Sequence, residues 1–178
     1  MLRIHSKSAY LMNTLRYRDS TIEDLPTIVS IYNSTIASRL VTADVDPVSV
    51  ESRLPWFHDH STDKRPLWII EKASDGTIVG WASFQSFYGR PAYDGTVEIS
   101  IYLQEAQRGQ KFGNAILQYC IDRAPDFGID VLLAYIFAHN TPSIGLFEKF
   151  KFSEWANLPD IAVLDGQRRS LKILGLHL

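Results

Sequence analysis

Between Val97 and Ala138 the hydrophobic period changes twice, and few folds accommodate that change. Val97, Ile99, Ile101 and Leu103 alternate with Glu98, Ser100 and Tyr102, the period of a strand with one face buried. From Gly109 to Phe127 the apolar positions Phe112, Ile116, Cys120 and Ala124 follow helical spacing, and Gly128 offers a stop. Val131–Ala138 is then almost wholly apolar, as expected of a strand covered on both faces. A strand, a glycine-bearing loop, a helix and a doubly covered strand require a sheet with helices packed against it, which excludes all-α and all-β folds.

The flanking segments fit the same plan. Leu15–Arg18 reads as a short strand, and Ser20 and Thr21 ahead of Glu23 and Asp24 form a capping-box arrangement. Ile22, Leu25, Ile28, Val29, Tyr32 and Ile36 then trace an amphipathic helix. Asp46-Pro47 predicts the opening of a second helix that Pro55 should end or kink. Leu67–Lys72 and Thr77–Phe87 read as a hairpin about Asp75-Gly76, Thr141–Phe150 as a short helix, and Phe152–Leu164 with Arg168–Leu176 as a second hairpin about Asp165-Gly166. The order β-α-α-β-β-β-α-β-α-β-β predicts an α/β (α+β) domain built on a mixed sheet.

With 178 residues, 46% of them hydrophobic, the chain holds one sizeable core, so residues 13–178 are expected to form a single domain. Residues 1–12, ending at Met12, are expected to be an N-terminal arm or an extension from an alternative start. Eighteen Lys and Arg against 20 Asp and Glu leave a charge of −2, which gives no basic field for nucleic acid. No apolar run approaches the ~20 residues of a membrane span, and the first residues lack a signal-peptide core. The lone Cys120 rules out an internal disulfide framework and a cysteine zinc cluster, pointing to a reducing compartment, the cytoplasm.

Arg108-Gly-Gln-Lys111-Phe-Gly113-Asn114 joins a strand to a helix start, where unpaired N–H groups and the helix dipole suit a pyrophosphate. Two glycines serve a tight turn equally well, and neither GxxxxGK[ST] nor GxGxxG is present. Asn140 and Ser143 suit capping of the helix that follows them. Glu98 alone reads as an exposed strand carboxylate or a proton acceptor. His58 and His60, flanking Asp59, have no third partner at metal-site spacing, and no metal is expected. His139 adjoins the end of a strand, while Trp56, Phe57, Trp68, Trp81 and Trp155 read as core or edge aromatics.

On these residues the chain resembles the GNAT N-acetyltransferases, whose acyl-CoA loop reads Gln/Arg-x-x-Gly-x-Gly/Ala. Arg108 and Gly113 match, and Lys111 stands at the middle glycine. Within that family it is similar to the phosphinothricin (methionine sulfoximine) acetyltransferase group from Leu15 to Leu174. Asp46–Phe57, Arg90-Pro-Ala-Tyr93-Asp-Gly-Thr96-Val-Glu98, the Arg108–Gly113 loop and Asn140–Phe150 carry the match.

The resemblance implies acetyl-CoA as acetyl donor and direct attack by the primary amine of a small amino-acid-like acceptor. It implies an acyl-CoA slot between splayed fourth and fifth strands, with Glu98 taking the amine proton and the backbone at Ile101 polarising the thioester carbonyl. Ile101, Leu103, Arg108, Gly109, Lys111, Gly113, Asn114, Asn140 and Ser143 would hold the cofactor, and Arg90 and Tyr93, with Glu98, the acceptor. Phe147 replaces a tyrosine that protonates the thiolate in relatives, leaving that role to Ser143, to water or to no group. Ala43 stands where the group has Phe, which implies a wider acceptor pocket. Relatives are commonly homodimers, and the apolar residues around Trp155–Val163 would suit such an interface. A GNAT enzyme acting on a polyamine or protein N-terminus, and a non-catalytic acyl-CoA-binding module, remain open at this point.

Overall fold

The computed structural model describes residues 14–178, so the expected arm at residues 1–12 lies outside the described residues. Seven strands form one sheet in the order β1-β2-β3-β4-β5-β7-β6. They are β1 (Leu15–Asp19), β2 (Leu67–Lys72), β3 (Ile78–Ser86), β4 (Thr96–Leu103), β5 (Val131–Phe137), β6 (Ser153–Leu164) and β7 (Gln167–His177). The helices are α1 (Leu25–Ile36), α2 (Val50–His58), α3 (Phe112–Arg123) and α4 (Thr141–Lys149). The β4–β5 pair is parallel and its neighbours antiparallel, giving the mixed, mostly antiparallel sheet expected.

Each face of the sheet buries the alternate side chains of its strands. Phe112, Ile116, Leu117 and Cys120 of α3 and Phe147 of α4 pack with Ile70, Phe84, Val97, Ile99, Leu132 and Ala134 on one face. Ile28 and Ile31 of α1 pack with Leu67, Ile69 and Trp81 on the other, where Tyr32, Trp56 and Tyr102 join them. Double coverage explains why Leu67–Ile70 of β2 are apolar without alternation. Cys120 is a free, fully buried thiol whose pKa burial raises.

Two expected boundaries move. The first helix begins with a 3-10 turn at Ile22–Asp24, where Asp24 accepts the Thr21 N–H at 2.8 Å. The second helix starts at Val50, not Asp46-Pro47. The Asn33 side chain pins Val48 through two bonds of 2.9 and 3.0 Å, keeping it out of the helix, and Ser49 caps by accepting the Ser52 N–H at 3.1 Å. Nor does Pro55 end that helix, which runs on to His58. The carbonyl left without Pro55's N–H belongs to exposed Glu51, where it is open to solvent.

The Asp165-Gly166 turn has φ of 49° and 76°, the left-handed pair a two-residue hairpin requires. Asp75-Gly76 instead ends a longer loop closed by Lys72 N–H to Thr77 O at 2.8 Å.

Candidate active site

Parallel pairing of β4 with β5 covers only Thr96–Glu98 against Val131–Leu133. Beyond Glu98 the strands part. β4 stays with β3 as far as Leu103, and β5 with β7 as far as Phe137 opposite Leu171. The V-shaped opening holds a cavity of ≈ 390 Å³ whose walls include Ile99–Tyr102 of β4 and Ala134–Phe137 of β5. Among the described residues no strand pairs with β4 on this side beyond Glu98, so its backbone groups there face the slot.

Ile101, Asn140 and Ser143, expected from sequence, line this slot. Buried Asn140 also caps α4, its Oδ1 accepting the Ser143 N–H at 3.3 Å while its Nδ2 donates to Leu40 O at 3.1 Å. Capping and slot lining thus coexist in one side chain. Phe147 is buried, lines the slot and carries no hydroxyl. Leu103 lies beyond the lining residues, and its carbonyl accepts Arg108 Nε at 3.2 Å; Arg108 Nη2 reaches Ser34 Oγ at 3.0 Å.

The loop after β4 makes two left-handed steps, at Gly109 (φ 76°) and Lys111 (φ 67°), to aim the first turn of α3. Its leading N–H groups lack i−4 acceptors, a fit for a diphosphate. Gly113 is set by packing, since a Cβ there would come within 3.1 Å of Leu146 Cδ2 on α4. A lysine at φ 67° carries the cost of about 1 kcal/mol that glycine escapes. Lys111→Gly should therefore stabilise the fold by up to about 1 kcal/mol in urea unfolding. A loss of stability would show that the Lys111 side chain outweighs its backbone strain.

Across β4 from the slot, on the α1–α2 side, a second cavity of ≈ 210 Å³ is walled by Trp56, Trp81, Gln85 and Arg53. Trp81 stacks on Tyr102 with centroids 4.4 Å apart, and Trp56 meets Trp81 edge-on at 5.6 Å. Glu98, Ser100, Tyr102 and Tyr32 border both cavities. Burial raises the Glu98 pKa, which disfavours its charge and makes it a better proton acceptor when ionised. Tyr135, whose pKa is raised by burial and then by the Glu98 charge, lines the slot from β5.

Arg90 and Tyr93 are not brought to either cavity. Arg90 is exposed at the start of a 3-10 turn, Pro91–Tyr93, and the half-exposed Tyr93 ring packs on Phe87 at 5.4 Å. Buried Arg65 ties this loop down through Ser86 Oγ and Asp94 O, each at 2.8 Å.

Val41, Thr42 and Ala43, from the loop after α1, close one side of the slot. That loop is held by His139, whose Nε2 lies 2.8 Å from Arg39 O. Ala43 therefore lines the slot and not the smaller cavity, where the resemblance had implied a wider acceptor pocket. His60 Nδ1 sits 2.8 Å from Trp56 O, and among the described residues no group of three or more His, Cys, Asp or Glu is placed to hold a metal.

Tyr32, Arg53, Trp56, Trp81, Gln85 and Tyr102 were not singled out as site residues from sequence. Arg53 and Trp56 lie in the Asp46–Phe57 segment that carries the family match, and shared parity with Glu98 on β4 points to Ser100 and Tyr102.

A mixed sheet parted beside a glycine-bearing loop and helix start, with a half-buried carboxylate at the parting, is the arrangement of an acyl-CoA-dependent transferase. The chain belongs to the acetyltransferase (GNAT) family, whose model matches residues 29–152.

It is 53% identical over 155 residues to YwnH of Bacillus subtilis (strain 168), provisionally named a phosphinothricin acetyltransferase, covering 87% of this chain and 94% of the relative. It is 31% identical over 161 residues to the L-methionine sulfoximine/L-methionine sulfone acetyltransferase of Pseudomonas aeruginosa PAO1, covering 90% and 93%. A crystal structure of a phosphinothricin acetyltransferase from Sinorhizobium meliloti in complex with AcCoA superposes with a TM-score of 0.85 at 25% identity, covering 93% of this chain and 89% of that one.

Proposed function

We propose that this acetyl-CoA-dependent N-acetyltransferase acetylates the primary amine of a small amino-acid-like acceptor of the phosphinothricin, methionine sulfoximine or methionine sulfone type. The observation that carries this reading is the position of Glu98, on the border between the slot and the smaller cavity. An amine in the smaller cavity and a thioester in the slot would meet beside one carboxylate. Acetyl-CoA supplies an activated acyl group and a thiolate leaving group.

An ammonium has no lone pair for attack, so the amine must lose a proton. Glu98 accepts it directly or through one water, and its buried setting keeps its proton affinity above that of an ordinary carboxylate. The backbone N–H near Ile101 stabilises charge on the carbonyl oxygen. Asn140 and Ser143 orient the pantetheine arm, with Leu103 as a further backbone contact. Arg108, Gly109, Lys111, Gly113 and Asn114 hold the diphosphate. Because Phe147 has no proton to give, the Ser143 hydroxyl or water serves the thiolate if a donor is needed.

The relatives named for phosphinothricin and methionine sulfone support the acceptor class. The smaller cavity supports its size, being below the ~300–1,000 Å³ usual for drug-sized ligands. We place the enzyme in the cytoplasm, which suits its lone reduced cysteine. We also propose a homodimer through the β6–β7 hairpin, where Trp155, Ile161 and Val163 are 42%, 56% and 56% exposed.

The test is free-thiol release from acetyl-CoA with phosphinothricin, methionine sulfoximine, methionine sulfone, ordinary amino acids and spermidine. Turnover confined to the amino-acid-like amines is the expected result. Turnover with spermidine alone would overturn the acceptor class.

A further inference from the structure

The smaller cavity is bipolar: Glu98 and Arg53 are the charged residues among its lining groups, set within walls that include Trp56, Trp81 and Tyr102. The Arg53 guanidinium stacks over the Tyr32 ring at 4.5 Å, which fixes its plane. Its Nη2 donates to Asp44 Oδ2 at 2.8 Å, so one of five donors is engaged and the fork retains others for a ligand. Asp44 is itself held by the Tyr32 hydroxyl, which makes the cation's setting rigid. At 26% exposure the Arg53 side chain is shielded enough to strengthen a charge-assisted bond.

A ligand that fits this cavity carries an amine at one end and an acid group a short distance away. An α-amino acid does so, whereas a polyamine would bring a second cation toward Arg53. Exposed Arg90, in contrast, lines neither cavity.

We propose that Arg53 binds the α-carboxylate of the acceptor and thereby selects amino acids over simple amines. This rests on the reading that Glu98 receives the acceptor amine.

The test compares L-methionine sulfone with the corresponding amine lacking the carboxylate, in the wild type and in Arg53→Met, Arg53→Lys and Asp44→Asn. The wild type is expected to favour the carboxylate-bearing acceptor by about 100-fold in kcat/KM. Arg53→Met should raise the KM for methionine sulfone by about the same factor. The KM for acetyl-CoA, which occupies the slot, should change little, and the simple amine, which has no carboxylate for Arg53 to hold, should lose far less than methionine sulfone, so that discrimination collapses. Arg53→Lys should restore part of it, since a point charge replaces the fork. Asp44→Asn should keep it, because the cation remains. Discrimination intact in Arg53→Met, or equal losses on both acceptors in Arg53→Met and Asp44→Asn, would overturn the proposal and leave the proposed function standing. A wild type that turns over neither amine would overturn both.

Discussion

Glu98→Gln should lower kcat/KM for the acceptor amine by about 10²–10⁴-fold while acetyl-CoA still binds, as followed by thiol release and calorimetry. The same change should stabilise the protein at neutral pH. Burial raises the Glu98 pKa above its ordinary 4.5, so the folded state binds that proton more tightly than the unfolded chain. Its contribution favours the fold fully below pH 4.5 and is lost as pH rises through the folded pKa. Above that point the wild type buries a charge that glutamine lacks. The variant should therefore melt higher than the wild type at pH 8, with the gap closing by about pH 4. Equal melting temperatures at pH 8 would show that Glu98 is not held against its charge.

The second large effect is structural and reaches the site through β4. A methyl group on Gly80 would lie 2.1 Å from Tyr102 O and 3.0 Å from Leu103 Cα, both backbone atoms of the neighbouring strand. Neither can swing aside as a side chain would, so Gly80→Ala must push β3 and β4 apart where β4 borders the slot. A loss of about 3 kcal/mol is expected, or about 6–12 °C in Tm for a chain of this size. Gly145→Ala is the control. It sits inside α4 with nothing within 4 Å of its added carbon, and should gain about 0.5–1 kcal/mol from helix propensity. Similar effects at the two positions would refute the packing argument.

The arrangement of strands and helices was legible wherever the apolar period is long and clean, as in Val97–Leu103 and Val131–Phe137. Val97 and Ile99 of β4 and Leu132–Ala134 of β5 are buried as their periods say, while Ile101 and Leu103, toward the parting, are only partly so. The α2 start was misplaced because a side chain 15 residues earlier, Asn33, holds Val48 extended, and no local pattern encodes that. Whether Pro55 ends its helix depends on where the carbonyl four residues earlier lies, which the local sequence does not show.

Glu98, Ile101, Asn140 and Ser143 are marked by the family resemblance rather than by any strand period, and all four line the slot. Arg53, Trp56, Trp81 and Gln85 were not found as site residues because their cavity exists only where α1 and α2 dock on β3 and β4. Residues that look like core aromatics in sequence become pocket walls through that docking. Arg90 and Tyr93 share a motif with Glu98 but sit on an exposed turn, so closeness in sequence did not translate into closeness in space.

The pH dependence of kcat/KM for the amine acceptor, measured in the wild type and in Glu98→Gln, tests the central claim most directly. In the wild type Glu98 must be ionised to take the proton that the bound ammonium brings, so log kcat/KM should rise with slope one at low pH and level off above the Glu98 pKa. In Glu98→Gln the amine must arrive already deprotonated from solution, so the slope should stay one up to the amine's own pKa. A wild type whose slope stays one up to the amine's own pKa, or a variant that keeps the plateau, would contradict the assignment of Glu98 as the group that takes the amine's proton.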